Sequence, residues 1–290
     1  MEVLAGLHAD IQTLATLFQL GMPLSDIVVK AAALSGRLSI LQHLLREQQC
    51  PAPLKVSYHA ARSGSIDMLD WLKAQSWCEF NDFACAGAAR GGHLAVLQHL
   101  RSQGCDWDNN YIAGCAASSG SIPTVEWLRQ QPGIELNADV MGAAVCAGHN
   151  AMCEHLRSVG CDWDVDTCSY AVACGHLDTL RWLREHGCPW DVCDVCLNAT
   201  CYGFPDVLDY VLEQGEVLDA ELLTTALNGA GAHGQLPAAQ WLRQHGAHWP
   251  AVLWYRTGHG PFGPLKVWSG AALAWARAEG CTSRSLLLLV

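Results

Sequence analysis

The fold class this sequence predicts is an all-α helical repeat solenoid, on three observations: a glycine that recurs at a near-constant interval, two helix-length segments between successive marks, and an apolar arc too broad for a lone surface helix. The clearest mark is Gly175, in Gly-His-Leu, with equivalents at Gly36, Gly64, Gly92, Gly120, Gly148, Gly203 and Gly234. The intervals are 28, 28, 28, 28, 27, 28 and 31 residues. Such a period belongs to arrays in which no unit buries its apolar face alone and stacked neighbours supply the core. Degenerate marks fall near Ala9 and Trp268.

Residues 1–21 read as an N-terminal capping unit, with a helix from Asp10 to Leu20 that stops at Gly21 ahead of Pro23. Regular repeats are expected over 22–215. The Gly64 unit closes loosely at Ser76, with Trp77-Cys78-Glu79-Phe80 where later units carry Cys-x-Trp-Asp. From Gly92 to Gly203 the pattern is clearest, and GGHLAVLQHLRSQGCDWD, AGHNAMCEHLRSVGCDWD and CGHLDTLRWLREHGCPWD nearly superimpose. Each unit holds two helices. The first starts after Trp-Asp, where Asp108, Asp164 or Asp191 can cap by accepting backbone N–H bonds, and ends in a left-handed turn at the register glycine. Pairs such as Ala88-Ala89 and Ala116-Ala117 let neighbouring first helices approach closely.

In the second helix, counted from the register glycine, positions two, four, five, seven and eight are mainly apolar. They span about 220° of a helical wheel, so the helix is read as held between two copies of itself. Positions three, six and ten are polar and often acidic, as at Asp67, Asp70, Glu126, Glu154 and Asp178, and read as a solvated outer stripe. After Gly203 regularity decays. Three extra residues enter around Gly229 to Gly234, and a Gly/Pro-rich loop from Gly258 to Pro264 precedes a last helix at Ala271 to Ala278. Residues 216–290 therefore read as degenerate repeats and a cap, and 1–290 as a single repeat domain.

Composition narrows the function. Hydrophobic residues make up 51% and charged residues 16%, enough apolar material for a packed core. A net charge of -11 opposes a phosphate backbone, so no nucleic-acid partner is expected. Glu2 and Asp10 flank a short apolar stretch without a basic leader, and the run Leu286 to Val290 is too short for a membrane span, so neither a signal peptide nor a membrane segment is expected. Among the 15 cysteines, Cys85, Cys168 and Cys196 each precede a register glycine by seven residues, and Cys105, Cys161 and Cys188 each follow one by thirteen. Equivalent positions in adjacent stacked units lie roughly 8–10 Å apart, beyond a disulfide's reach. These cysteines read as reduced, small core residues and place the chain in the cytoplasm.

The segment GGHLAVLQHLRSQGC resembles the second helix and following turn of an ankyrin repeat, and the preceding Ala88-Ala89 matches that family's paired alanines. The resemblance covers nearly the whole chain. Family units are about 33 residues long; here the connection to the next first helix is shorter, so the β-hairpin finger is expected to be shortened or absent. The family's Thr-Pro-Leu-His is also missing, with forms such as Asp164-Val165-Asp166-Thr167-Cys168 in its place. The resemblance implies a monomeric scaffold or adaptor that binds another protein, with no catalysis, no cofactor and no small-molecule substrate. Its partner surface is implied to be the concave side, made by the start of each first helix and the two residues before each register glycine. The matching positions are Arg62, Asp82, Phe83, Arg90, Tyr111, Asp139, Asp166, Asp194 and Tyr202.

Candidate chemistry is sparse. Cys193-x-x-Cys196, with Cys188 and Cys201 nearby, makes segment 188–201 the alternative, a metal-binding or redox-sensing site, although no second paired-cysteine motif stands at zinc-finger spacing. His93, His149 and His176 recur once per unit, which argues for architecture and against a catalytic cluster. Position seven carries His43, Trp71, His99, Trp127, His155, Trp182, Tyr210, Trp241 and Trp275, and position nine carries Lys73, Arg101, Arg129, Arg157, Arg184, Arg243 and Arg277. Each position-seven ring is expected to face a position-nine cation of the neighbouring unit as an inter-repeat clamp; a binding ladder of Trp and Arg is the competing reading.

Overall fold

In a computed structural model, residues 26–47, 55–75, 80–250, 254–256 and 265–281 are described. The proposed N-terminal helix, the motif Trp77-Cys78-Glu79 and the loop 257–264 lie outside them. Two compact units divide the chain, Met1–Asp162 and Trp163–Val290. Each is a stack of helix pairs.

The first unit holds α1 (Asp26–Leu34), α2 (Leu38–Gln42, continued by a π-helical turn His43–Glu47), α3 (Val56–Arg62), α4 (Ile66–Lys73), α5 (Asp82–Arg90), α6 (Leu94–Ser102), α7 (Asn109–Ala117), α8 (Ile122–Arg129), α9 (Ala138–Cys146) and α10 (Asn150–Ser158). Odd helices are the first of each pair and pack on one another, α1 on α3, α3 on α5, α5 on α7 and α7 on α9. They pack closely because their facing residues are small. Ala88, Ala89, Ala116 and Ala117 are fully buried, and Gly87 sits so near α3 that a Cβ there would overlap the Tyr58 carbonyl oxygen. Most large apolar side chains come from the second helices, where Leu97, Leu100 and Leu128 have no exposed surface, with Ile112 and Met141 added from first helices.

The register glycine ends each first helix as expected. Gly92 has φ +72°, and the next N–H, that of His93, reaches back to Ala88 O at 3.0 Å, the bond that turns a helix end into a sharp exit. The same bond joins His149 to Ala144 and His176 to Ala171. The Trp-Asp caps also form: Asp108 Oδ1 accepts from Tyr111 N, Asp164 Oδ1 from Asp166 N and Thr167 N, and Asp191 Oδ1 from Cys193 N and Asp194 N.

The second unit runs α11 (Asp166–Ala173), α12 (Leu177–Glu185), α13 (Val192–Tyr202), α14 (Pro205–Glu213), α15 (Ala220–His233), α16 (Leu236–Gln244), β1 (Trp254–Arg256), β2 (Leu265–Val267) and α17 (Gly270–Ala278). The three extra residues near Gly229 are absorbed by α15, which has 14 residues. Where a first helix would stand between α16 and α17, an antiparallel ribbon pairs Trp254 with Val267 and Arg256 with Leu265. This ribbon adds to the helical fold the sequence predicts. Trp268, directly after it, lies over Gly231 of α15 and donates from Nε1 to Asn228 Oδ1 at 2.6 Å. A buried indole thus covers α15 where a further helix would have packed.

Candidate interaction faces

The two helix stacks present different side chains, and the second-helix stack uses most of its own. Where a position-nine arginine is seen against a ring, the ring is not that of a neighbouring unit. Arg101, Arg184 and Arg243 lie over Trp107, Trp190 and Trp249, six residues downstream in the same unit, at 4.3, 4.3 and 4.4 Å. Their guanidinium groups also donate to carbonyls of the closing turn, Arg184 to Cys188 O at 2.5 Å and Arg157 to Cys161 O at 2.7 Å. The reach explains the correction: position nine closes the second helix, so its side chain extends over the turn that follows.

Each turn tryptophan then meets the position-seven ring of the next repeat. Trp107 packs edge-on against Trp127 at 6.0 Å, Trp163 against Trp182 at 6.2 Å, Trp190 against Tyr210 at 6.2 Å and Trp249 against Trp275 at 5.4 Å. The inter-repeat clamp therefore exists and runs through the tryptophan of Cys-x-Trp-Asp, which the wheel, confined to the helix, leaves out. Trp241 and Tyr210 are buried, while Trp127 and Trp182 are half-buried.

Position six, read from sequence as solvated stripe, is a second joint. His99 Nε2 donates to Asp70 Oδ1 and His155 Nε2 to Glu126 Oε1, each at 2.8 Å and each to the preceding repeat. Trp241 Nε1 does the same to Asp209 Oδ1 at 2.7 Å, and Arg181 stacks on Tyr210 at 4.5 Å. Glu126 also binds Arg129 at 2.7 Å; that hydrogen bond first, and His155 after it, hold its carboxyl below the usual range.

A third joint uses the register glycine itself. The residue after one glycine lies over the glycine of the preceding repeat: His93 on Gly64, His149 on Gly120 and Phe204 on Gly175. His93 Nε2 also donates to Arg62 O at 3.1 Å. The glycine is thus required for its left-handed φ and for the ring laid against it.

The first-helix face leaves large side chains exposed. Among the described residues, six of the eight exposed large apolar side chains sit on or beside first helices: Ile27, Leu34, Tyr111, Val165, Tyr170 and Tyr202. Of the positions expected to bind a partner, Arg90, Tyr111 and Asp139 come together around a groove of about 450 Å³, with Asp108, Asn110 and Cys115. Tyr111 is 49% exposed there. Asp82 and Phe83 open α5, where Lys55 lies 4.0 Å above the Phe83 ring, and Arg62 closes α3. In the second unit Asp166 opens α11, Asp194 lies in the first turn of α13, and Tyr202 ends α13 with 52% of its surface exposed.

The cysteine segment 188–201 does not converge. Cys193 is exposed and Cys196 buried, its thiol pushed up to about 12 by burial. Cys188 is a free, buried thiol beside Cys168. No group of three or more His, Cys, Asp or Glu side chains among the described residues is placed to hold a metal ion. Nor is any described helix long and apolar enough to cross a membrane.

The paired helices and left-handed register turns give the helical repeat arrangement that the sequence predicts. Among solved structures the chain is similar to the human ASB11 ankyrin repeat domain, with 20% identity, a TM-score of 0.46, and coverage of 70% of this chain and 96% of that one. No protein-family description and no curated protein matches the chain.

Proposed function

We propose that this chain is a non-catalytic scaffold or adaptor that binds another protein through its first-helix face, the concave side of an ankyrin-type array. The observation that carries this reading is the contrast in exposure. Second-helix aromatics are engaged in joints between repeats, whereas Tyr111, Tyr170 and Tyr202 stand on first helices with large parts of their rings in water. Exposed aromatic and arginine side chains grouped beside a groove are what protein interfaces bury at their centres.

Arg62, Asp82, Phe83, Arg90, Tyr111 and Asp139 are the contact positions in the first unit, and Asp166, Asp194 and Tyr202 those in the second. Acidic residues stand in the first turn of α5, α9, α11, α13 and α15. That distribution favours a partner segment carrying Lys or Arg between apolar residues. The proposal takes 1–290 as one repeat domain in a cytoplasmic monomer, with 1–21 and 216–290 as its ends.

Affinity capture from a cell lysate followed by mass spectrometry, with the double variant Tyr111→Ala/Tyr202→Ala in parallel, tests the reading. A specific partner should be retained by the natural chain and lost by the variant. A partner held equally by both would move the binding surface off the first helices.

A further inference from the structure

The cysteines at minus seven and plus thirteen, counted from the register glycine, meet inside a single repeat. In the Gly92 repeat, Cys85 Sγ donates to Cys105 Sγ across 3.1 Å, and both residues are buried. In the Gly175 repeat the equivalent pair, Cys168 and Cys188, is likewise buried, near enough for Cys188 to act on the Cys168 thiol. Reasoning about neighbouring units misses this, because the first helix and the turn closing the second helix of one repeat lie side by side. The Gly148 repeat provides a natural contrast, since Cys161 faces Met141 at the corresponding position.

We propose that Cys85/Cys105 and Cys168/Cys188 are two dithiol sites that hydrogen peroxide converts to intra-repeat disulfides. The Cys85 and Cys105 sulfurs already lie 3.1 Å apart, so closure there to a bond of about 2.05 Å asks for a movement on the order of 1 Å. Each pair has a polarised partner. The hydrogen bond from Cys85 holds the Cys105 thiol below its usual range and raises that of Cys85. In the other pair the bond from Cys188 lowers Cys168, with the Arg184 charge adding to it, and raises Cys188.

The steps balance. The Cys105 thiolate attacks one peroxide oxygen, the O–O bond breaks, and hydroxide leaves and is protonated to water, giving a sulfenic acid. The Cys85 sulfur then attacks the Cys105 sulfur, the S–O bond breaks, and hydroxide departs with the Cys85 proton as a second water. Two thiols are oxidised and one peroxide is reduced; Cys168 and Cys188 follow the same course, with Cys168 as the first nucleophile.

Closure acts next to the caps of the following first helices. Cys105 lies three residues before Asp108, which caps α7, and Cys188 three before Asp191, which caps α13. Those helices carry Tyr111 and Tyr202. Any effect on partner binding rests on the function proposed above; the oxidation itself does not.

The test treats the reduced full-length chain with hydrogen peroxide under native conditions, blocks remaining thiols in denaturant and maps peptides by mass spectrometry. Cys85–Cys105 and Cys168–Cys188 linked peptides are expected, each about 2 Da lighter than the sum of its reduced parts. The same links should form when the exposed Cys146, Cys174 and Cys193 are replaced by Ser. In Cys85→Ala, Cys105 should stop at the sulfenic acid and react with a dimedone probe. Recovery of all four cysteines in alkylated form, while exposed cysteines are oxidised, would overturn the proposal, as would Cys85 or Cys105 linked only to other partners.

Discussion

The stack of first helices and the stack of second helices solve the same problem with opposite materials. First helices join through alanine and glycine at backbone distance, so their joint needs no large side chain and leaves Tyr111 and Tyr202 exposed. Second helices join through rings, guanidinium groups and carboxylates that reach from one repeat to the next: Arg101 over Trp107, Trp107 against Trp127, His155 onto Glu126. A surface built from small residues can carry functional side chains without weakening the array. One built from clamps cannot.

The largest effect should come from breaking the close approach of first helices. Gly87→Leu places a side chain where even a Cβ meets the Tyr58 carbonyl, and overpacking of that kind costs about 3 kcal/mol or more. Urea denaturation should show the loss. Gly114→Ala, in the following first helix, is the control: its nearest neighbour is the Ala143 Cβ at 3.7 Å, ordinary contact. It should be neutral or stabilising by about 0.5–1 kcal/mol, because Gly in a helix interior is the less favoured residue. Equal destabilisation by both would show that first-helix spacing is not set by residue size at Gly87.

The second-helix stack should fail by deletion. Trp182→Ala removes a half-buried ring held by Trp163 at 6.2 Å and stacked on His186 at 4.5 Å. The expected loss is about 2–3 kcal/mol, below the 3–5 kcal/mol of a fully buried aromatic because part of the ring is in water. A thermal melt without any partner checks it, and an unchanged curve would return position seven to the binding face.

Most of this contrast is legible in the sequence because it is periodic. Ala88-Ala89, the register glycines and the Trp-Asp caps are short-range features whose geometry is set within one turn, and each stands where the spacing predicts. Position-seven rings and position-nine cations are equally regular, yet their pairing depends on side chains crossing between elements. A wheel drawn for one helix cannot show that Arg184 reaches forward to Trp190 or that Asp70 reaches the next repeat's His99. The paired thiols escape for the same reason, since Cys85 and Cys105 are 20 residues apart and adjacent only once the helix pair has folded. At the C-terminal end periodicity stops, and with it the means of expecting a ribbon after α16 or Trp268 over α15.

A smaller effect separates the polar joints from the aromatic ones. The Glu126 carboxyl is held below its usual range by Arg129 first and His155 second, so the folded state favours its charged form. The contribution is fully present above the ordinary glutamate value and is lost as pH falls through the lowered folded value. Glu126→Gln should therefore reduce stability by a few tenths to about 1 kcal/mol near pH 7, the range for partly exposed ion pairs. The difference from the natural chain should shrink as the pH is lowered from 7 through the ordinary glutamate value and below it. Paired denaturation curves across that range check it; a gap that does not shrink in acid would mean the carboxyl acts by shape alone.

The smallest expected change in stability is the most informative about function. Tyr202 ends α13 with 52% of its surface exposed, and it follows Cys201 and precedes the left-handed Gly203, so its ring is presented at the rim of the first-helix face. It belongs to none of the ring pairs that bind repeats together. Tyr202→Ala should shift stability by no more than about 0.5 kcal/mol, as surface substitutions away from structural features do. Yet at an interface an aromatic anchor is worth about 2 kcal/mol or more, roughly a thirtyfold loss of affinity. Melting curves for Tyr202→Ala and Trp182→Ala, set beside their retention of a captured partner, make the division of labour measurable. Tyr202→Ala should melt like the natural chain and bind weakly, whereas Trp182→Ala should melt early and bind in proportion to what remains folded. If Tyr202→Ala melts early as well, its exposed ring supports the array, and the first-helix face loses its claim to be free for a partner.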